Sequence, residues 1–374
     1  MRVNRPSAPL RIREATFDDY ESVTSLASRY GLGTKRYEEW THLWINNPVY
    51  KQMREHWPIG WVLEGQNNQI LGSVGNIPLS YEFQGRRLIA AGGCSWVVDS
   101  RYRSYSILLL ERYFDQKNVD LYLNTTVNSQ ASEAFSVFNS PPVPVGAWDQ
   151  SAYWITNYSG LAASWLAMKR FRWAGSTSYP LSVLLLLKDV ATRRAFISHR
   201  NEVKVELCPG FDDRFDRFWG KLKSKNPHLL LGVRTSEALE WHFKHAILKN
   251  EVWALTVANA SGLLAYSIFC RQDNPRFGLR RMRLVDFQTL DKSPALLIAM
   301  LCWALKRCRR EGIQMLEWVG LWPQRREIFE ELKPHERELP SWSYFYKVRD
   351  QKLAQSLANP KVWNPTGFDG DASL

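Results

Sequence analysis

The part of the chain that decides the fold is residues 92–139, GGCSWVVDSRYRSYSILLLERYFDQKNVDLYLNTTVNSQASEAFSVFN. Its hydrophobic pattern predicts, in order, an apolar strand (92–100), a helix (107–116), a short buried strand (119–124) and a second helix (129–139). RYRSYS (101–106) is the turn between the first strand and the first helix. A turn that ends a strand and opens a helix presents free backbone N–H groups, so we expect it to bind an anion.

The two halves of the chain share one order of elements. Before residue 92 the sequence predicts a strand, two helices and two strands, and the first half ends on an aromatic strand, SAYWITNY (151–158). The second half repeats this order around a strand at 281–290 and a long helix at 293–312, and it ends on SWSYFYKV (341–348). This duplication of architecture predicts an α/β (mixed α+β) protein with two tandem domains, 1–158 and 206–374, joined by a basic connector, 159–205.

Charge favours an anionic partner. The chain of 374 residues has a net charge of +12, which is compatible with a nucleotide cofactor, nucleic acid or anionic lipid, or with a basic protein that has no special partner. The connector is rich in Lys and Arg, so it either contacts a membrane surface as a peripheral element or forms a solvated face over the domain junction.

Cysteine usage and hydropathy bear on the compartment. The five cysteines are scattered without a CxxC pair, as expected in a reducing compartment. No secretory signal precedes the first strand, and no apolar run approaches the roughly 18 to 20 residues of a membrane span. We therefore expect a cytoplasmic protein without a transmembrane segment.

Two short patterns carry a resemblance to a known family. The turn Arg103-Ser104-Tyr105-Ser106-Ile107-Leu108 follows the strand, and the next strand is followed by Asn128, Ala131 and Phe135 at spacings of three and seven. With the order of elements, these residues resemble the GNAT (N-acyltransferase) superfamily, seen twice, and most closely tandem-domain bacterial members. In that family the turn reads Arg-x-x-Gly-x-Gly/Ala, so Arg103 matches while Ser106 and Leu108 replace small residues. Phe135 stands where the family has a tyrosine.

The resemblance implies a fold, a co-substrate and a reaction. Each domain would be a mixed twisted sheet flanked by helices. Acyl-coenzyme A would be the co-substrate and a small amine the acceptor, such as an amino sugar or an envelope precursor. The residues implied to bind acyl-coenzyme A are Val97, Val98, Arg103, Ser104, Ser106 and Asn128. The backbone N–H groups at Val97 and Val98 would stabilise the oxyanion.

Several side chains are candidates for proton transfer. Cys94 lies on the strand before the turn, and the alternative role is that of a packed core thiol. Asp286 lies inside an otherwise apolar strand, either in a cleft or on the polar face of the sheet. Tyr346 lies on the final strand and either donates a proton or belongs to the aromatic core. No metal site is expected, because His242 and His245 lack a third ligand at a suitable spacing.

The last residues also contain a candidate. Asp369 and Asp371 either contact a polar substrate or cation, or belong to a disordered acidic tail. The apolar residues Trp363, Pro365 and Phe368 favour a tail that docks on the protein.

Three functions remain open on the sequence. The first is an acyl-coenzyme A-dependent N-acyltransferase. The second is an aminoacyl-tRNA-dependent transferase of the peptidoglycan-bridge type, which the basic charge favours. The third is a non-catalytic binding protein on a degenerate GNAT scaffold, which the loss of the tyrosine favours.

Overall fold

The structure is a computed structural model, and it describes residues 10–145, 148–170, 174–194, 203–291, 293–320, 325–339 and 341–374. Within these ranges the strands are β1 Arg11–Glu14, β2 Gly60–Glu64, β3 Ile70–Phe83, β4 Arg86–Val98, β5 Leu121–Asn128, β6 Gln150–Ile155, β7 Glu206–Cys208, β8 Leu231–Gly232, β9 Val252–Asn259, β10 Gly262–Arg271, β11 Arg281–Thr289, β12 Met315–Val319, β13 His335–Glu338 and β14 Ser341–Val348.

The α-helices in the described part of the chain connect or flank these strands. They are α1 Tyr20–Arg29, α2 Tyr37–Ile45, α3 Pro48–Met53, α4 Ser106–Phe114, α5 Ser129–Val137, α6 Tyr158–Met168, α7 Ala174–Ala191, α8 Asp213–Lys225, α9 Ser236–Leu248, α10 Pro294–Arg310, α11 Arg325–Leu332 and α12 Gln351–Leu357.

The first sheet has the order β1-β2-β3-β4-β5-β14, with β8 pairing with β3. Its strands are antiparallel except for β4 and β5, because α4 carries the chain back across one face of the sheet. Leu109, Leu110, Tyr113 and Phe114 are spaced for one face of α4 and are all buried. Tyr113 also donates its hydroxyl to the carbonyl oxygen of Ala91 on β4 at 2.8 Å, which fixes the helix on the strand.

The second sheet repeats this plan, with the order β13-β6-β12-β11-β10-β9-β7. Here β11 and β12 are the parallel pair, and α10 is the crossing helix. The predicted start signals of this helix are confirmed, since Ser293 Oγ accepts the Ala295 N–H at 3.3 Å and Pro294 occupies the first turn.

The halves of the chain exchange one strand each, which corrects the sequence-based assignment. The strand predicted to complete the first domain, β6, pairs with β12 of the second sheet, from Ser151–Val319 to Ile155–Met315. The strand predicted to complete the second domain, β14, pairs with β5 of the first sheet. The ranges 1–158 and 206–374 therefore do not separate the two sheets. The alternation of apolar and polar residues predicts which face of a strand is buried, but it does not predict which strand pairs with it.

Aromatic residues secure the exchanged strand β14 on both of its faces. Phe345 stacks on Phe135 of α5 with ring centroids 5.2 Å apart, and Tyr346 packs against Trp363 at 4.9 Å. Complete burial of a large apolar side chain stabilises a fold by roughly 1.5–3 kcal/mol. The exchange therefore ties the stability of each half to the other.

The connector contains two helices, α6 and α7, while residues 171–173 and 195–202 of it lie outside the described residues. None of the described helices combines the length and the apolar character needed to cross a membrane.

We expect the full chain to unfold in one transition, because neither sheet is complete without a strand from the other half. Urea unfolding monitored by far-ultraviolet circular dichroism and by tryptophan fluorescence should give coincident curves. A fragment of residues 1–158 should show no cooperative transition, since β5 loses β14 and Phe135 loses Phe345. Two resolved transitions of the full chain, or a cooperatively folded fragment, would contradict this interdependence.

Candidate functional site

The first sheet opens into a gap between its two parallel strands. Their pairing ends at Gly92 and Leu123, although β4 continues to Val98 and β5 to Asn128. We call this gap the first splay and define it by residues 93–98 of β4 and residues 124–128 of β5. A gap of this kind can admit an extended ligand between two strand backbones.

A β-bulge lies on the β4 side of the first splay. The register with β3 shifts at Ser95 and Trp96, and Ser95 has a φ of 49°. Such bulges bend a strand and re-aim its backbone groups. Ser95 is exposed and Cys94 is partly exposed, so the bulge is open to solvent.

Two buried donors in the first splay lack a partner among the described residues: Trp96 Nε1 on β4 and Asn124 Nδ2 on β5. The side chain of Asn124 lies over Gly93, because a Cβ at that position would stand 2.2 Å from Asn124 Oδ1. Buried donors are nearly always paired in folded proteins. These two therefore indicate a ligand with hydrogen-bond acceptors.

The turn after β4 forms a short 3-10 helix, Ser100–Tyr105, followed directly by α4. Asp99 precedes it and accepts the Arg101 N–H at 3.1 Å. Arg103 and Ser104 are exposed, and no side chain caps the first turn of α4. The Ser106 N–H donates to the Arg103 carbonyl oxygen, so the 3-10 helix runs directly into α4, and the exposed Arg103 is the group of this turn that favours an anion.

The second half contains an equivalent gap, the second splay, between β11 and β12. Parallel pairing ends at Leu284 and Trp318, and the register shift with β10 leaves Val285 as a bulge. Gly367 of the C-terminal segment packs against this bulge, since a Cβ on Gly367 would stand 3.1 Å from the Val285 carbonyl oxygen. The second splay is therefore occupied by the chain itself.

Residues 366–374, which we call the tail, are held by a buried ion pair. Asp286 on β11 accepts from Arg234 Nε at 2.8 Å and from Thr366 Oγ1 at 2.9 Å. Arg234 Nη2 lies 3.6 Å from Asp369, whose other carboxylate oxygen accepts the hydroxyl of Tyr81 on β3 at 3.0 Å. These contacts dock the tail between the two sheets, as Trp363, Pro365 and Phe368 predicted.

The tail brings Asp371 to the first splay. Thr125 on β5 donates its hydroxyl to Asp371 Oδ1 at 2.8 Å, and Thr126 Oγ1 lies 3.2 Å from Oδ2. Burial raises the pKa of Asp371 above the usual range of an aspartate. The residue is partly exposed, so Asp371 is a candidate proton acceptor beside the first splay.

A partly buried lysine, Lys35, belongs to the same region. Burial lowers the pKa of its ammonium group, while the negative charges of Glu39 and Asp371 act in the opposite direction. Lys35 and Asp371 are thus near enough to interact electrostatically at the mouth of the first splay.

A cavity of about 330 Å³ lies on the other side of the tail. The first half contributes Pro78 and Tyr81 to its wall, the second half Trp219 and Trp241, and the tail Phe368. Its wall is largely apolar, with four charged side chains among the lining residues, Glu82, Arg87, Lys223 and Glu237. Its dimensions suit a small molecule with an apolar body.

Comparison with known proteins gives one clear result. No protein-family model and no curated protein matches the chain. Among solved structures, N-myristoyltransferase of Saccharomyces cerevisiae with bound myristoyl-CoA and inhibitors matches 99% of this chain and 86% of its own, with a TM-score of 0.56 at 11% identity. A GCN5-related N-acetyltransferase of Anabaena variabilis matches 91% of this chain and 73% of its own, with a TM-score of 0.54 at 10% identity.

A probable N-acyltransferase of Enterococcus faecalis matches at a TM-score of 0.53 and 10% identity, over 91% of this chain and 72% of its own. The chain has the GNAT fold. At these identities the likeness concerns the fold alone, and it confirms the prediction of a mixed α/β architecture with two tandem GNAT-like domains.

The turn 103–108 follows β4, and the second pattern, Asn128, Ala131 and Phe135, follows β5 as predicted. The structure shows the local contacts of these residues. Ser106 begins α4, and Leu108 is exposed on it. Asn128 caps α5 by accepting the Ala131 N–H at 2.8 Å. Val97 is paired with Ser73 on β3 beyond the bulge, and Val98 follows it. Val97 and Val98 lie in the β4 part of the first splay, and Arg103 and Ser104 lie in the 3-10 helix that follows β4.

The three predicted catalytic residues are not brought together. Asp286 has a fully covered side chain in the second sheet, and five donor atoms on Arg234, Tyr266, Gln288 and Thr366 already occupy its oxygens. Tyr346 is buried against Trp363, and burial raises its pKa. Cys94 lies near Gly75, and burial raises the pKa of its thiol, so it remains protonated at neutral pH.

Sequence reasoning missed Asn124 and Lys35, and it left Asp371 without a partner. Asp371 lies about 245 positions after Thr125 and Thr126 in the chain. A local sequence pattern cannot predict a contact at that separation. A polar residue inside the apolar strand VDLYLN was the one available signal for Asn124.

We expect Asp286→Ala to destabilise the protein strongly, because it leaves the buried guanidinium of Arg234 with Asp369 alone. Removing one partner of a buried pair typically costs about 3–5 kcal/mol of unfolding free energy. Urea unfolding measures this loss, and Glu111→Gln on the exposed face of α4 serves as the control. A loss below about 1 kcal/mol, the range of exposed ion pairs, would contradict the structural role of Asp286.

Proposed function

We propose that the protein is an N-acyltransferase that moves an acyl group from acyl-coenzyme A to an amine at the first splay. The observation that carries this proposal is the combination of a gap between two strands, two buried donors without partners among the described residues and a partly exposed aspartate, Asp371. The second splay is a poorer candidate because its carboxylate, Asp286, is fully covered and already paired with Arg234, whereas the tail presents the partly exposed Asp371 to the first splay.

The pyrophosphate of coenzyme A would bind at the turn after β4. Arg103 supplies an exposed charge there, and Ser104 and Ser106 supply hydroxyl groups at the junction of the 3-10 helix and α4. The pantetheine arm would then extend along β4, where Trp96 Nε1 and Asn124 Nδ2 can donate to its amide carbonyls. The fold neighbour N-myristoyltransferase has bound myristoyl-CoA, which supports this class of co-substrate.

The thioester carbonyl would lie beside the bulge. Backbone N–H groups near Val97 and Val98 are the candidates for holding its oxygen, since β4 is no longer paired with β5 beyond Gly92, while Val97 and Val98 stay paired with Ser73 and Gly72 on β3. Donors held in place before the reaction stabilise a developing oxyanion without a cost of reorganisation.

Asp371 would act as the general base. The ammonium form of the acceptor gives one proton to the Asp371 carboxylate, and the neutral nitrogen attacks the thioester carbonyl carbon. Collapse of the tetrahedral intermediate breaks the C–S bond, and the departing coenzyme A sulfur receives the second amine proton. The products are an amide and free coenzyme A thiol, and Asp371 then returns its proton to water.

The apolar cavity is the candidate site for the body of the acceptor. Phe368 lines the cavity, and Asp371 lies three positions later in the same turn-rich tail. An amine carried on an apolar body would fit this arrangement. An amino sugar or envelope precursor remains the prediction that the family resemblance makes.

We expect Asp371→Asn to lower kcat by about 10²- to 10⁴-fold, the usual contribution of a general base, while the dissociation constant of acetyl-coenzyme A stays unchanged. Release of coenzyme A thiol with a panel of amines measures the rate, and calorimetry measures binding. Because burial raises the pKa of Asp371, the wild-type rate should rise with pH through a pKa above that of an exposed aspartate. The variant should lack this rise.

Glu336→Gln, on the exposed side of β13, is the matched control. The proposal is contradicted if no amine accelerates thiol release by the wild type, or if Asp371→Asn and Glu336→Gln have the same rate and pH profile.

A further inference from the structure

The helix α7 has an inverted amphipathic pattern. Its buried positions are polar, since Ser182 and Asp189 are almost fully covered. Its outer positions are apolar, and the exposed fractions are 74% for Tyr179, 64% for Leu184 and 58% for Leu187. A helix of a folded domain normally turns its apolar face inward, so the outer face of α7 needs another explanation.

Polar contacts hold α7 in this orientation. Asp189 accepts the hydroxyl of Tyr158 on α6 at 2.9 Å, and its other carboxylate oxygen lies 3.0 Å from Nε2 of His335 on β13. These contacts bind the polar side of α7 to the protein. Because Asp189 is bound to Tyr158 and His335, the side of α7 that carries the exposed leucines faces outward.

The exposed apolar side chains extend from α7 onto α6. Trp165 and Met168 at the end of α6 are 47% and 48% exposed. Together the apolar members of this surface, which we call the hairpin patch, are Trp165, Met168, Tyr179, Val183, Leu184, Leu186, Leu187 and Val190. Six of these lie on α7, and spacings of three or four residues link all six along one side of the helix.

Cations surround the hairpin patch. Lys169, Arg170, Lys188 and Arg193 are exposed around it. The sequence from residue 158 to residue 194 contains one acidic residue, Asp189, which is buried. The surface is therefore apolar at its centre and positive at its rim, with tryptophan and tyrosine among its members, a composition typical of helices that lie in the surface of an anionic bilayer.

A second copy of the chain is a poorer occupant. A two-fold dimer through this surface would bring the same patch from both copies together. The four cations would then face one another without exposed acids in this segment to pair with them. Phosphate headgroups supply the missing negative charge, and the acyl region accepts the leucines.

We propose that the hairpin patch binds the surface of an anionic lipid bilayer, with α6 and α7 lying in the interface and not crossing it. This inference goes beyond the proposed acyl transfer and does not depend on it. The chemistry of the side chains sets their depth in the bilayer. The leucines and the tryptophan lie toward the acyl chains, and the lysines and arginines lie at the headgroups.

Co-sedimentation of the full chain with vesicles tests the proposal. We expect binding to phosphatidylcholine vesicles that contain phosphatidylglycerol, and much weaker binding to phosphatidylcholine alone. The double variant Leu184→Asp/Leu187→Asp should reduce the partition coefficient by roughly tenfold or more, since two apolar anchors are lost. Leu248→Asp, at a leucine that is 70% exposed on α9, is the control and should bind like the wild type.

A second variant, Lys169→Glu/Arg193→Glu, keeps the apolar anchors and reverses two charges. It should lose binding to the anionic vesicles and retain the weak binding to neutral ones, and added salt should reproduce its effect on the wild type. Circular dichroism checks that each variant is folded.

Several results would overturn the proposal. These are equal binding by wild type and both variants, equal loss with Leu248→Asp, or no binding of the wild type to anionic vesicles. A dimer in solution that the Leu184→Asp/Leu187→Asp variant converts to a monomer, with no vesicle binding, would assign the patch to a second copy.

Discussion

The buried pair of Arg234 and Asp286 is the interaction on which the site depends. Removing two charges from water is costly, and the pair is tolerable because hydrogen bonds occupy the remaining donors and acceptors. One of those bonds goes to Thr366 and a further contact goes to Asp369. The ion pair thereby positions the tail, and the tail in turn closes the second splay and brings Asp371 to the first.

The two halves of the fold contain similar gaps, but different residues line and contact them. Both halves have a parallel pair of strands that separates past a bulge. In the second half Gly367 packs against the bulge at Val285, and in the first half Gly370 packs against Thr125, while Trp96 Nε1 and Asn124 Nδ2 lack a partner among the described residues. The exchange of β6 and β14 links the two gaps structurally, because each sheet contains a strand that belongs to the other half of the chain.

The sequence predicted the local elements well and the distant contacts poorly. The helix after β11 and the cap at Asn128 could be read from spacing alone, because capping and amphipathic periodicity are local properties. The pairing partners of β6 and β14 could not be predicted, because the residue pattern of an aromatic strand does not specify which strand it pairs with. Asp286 looked like an active-site group because it interrupts an apolar strand, but its partner Arg234 lies 52 positions away. Asp371 became a candidate base only when the fold placed Thr125 and Thr126 beside it.

Amide hydrogen exchange of the full chain with and without acetyl-coenzyme A tests most directly whether the first splay is the co-substrate site. Ligand bound there would shield the β4 backbone and the turn, so the account predicts slower exchange in residues 93–108 and an unchanged rate in residues 286–300 of the second half. Protection confined to residues 286–300, or no protection in either segment at saturating acetyl-coenzyme A, would contradict it.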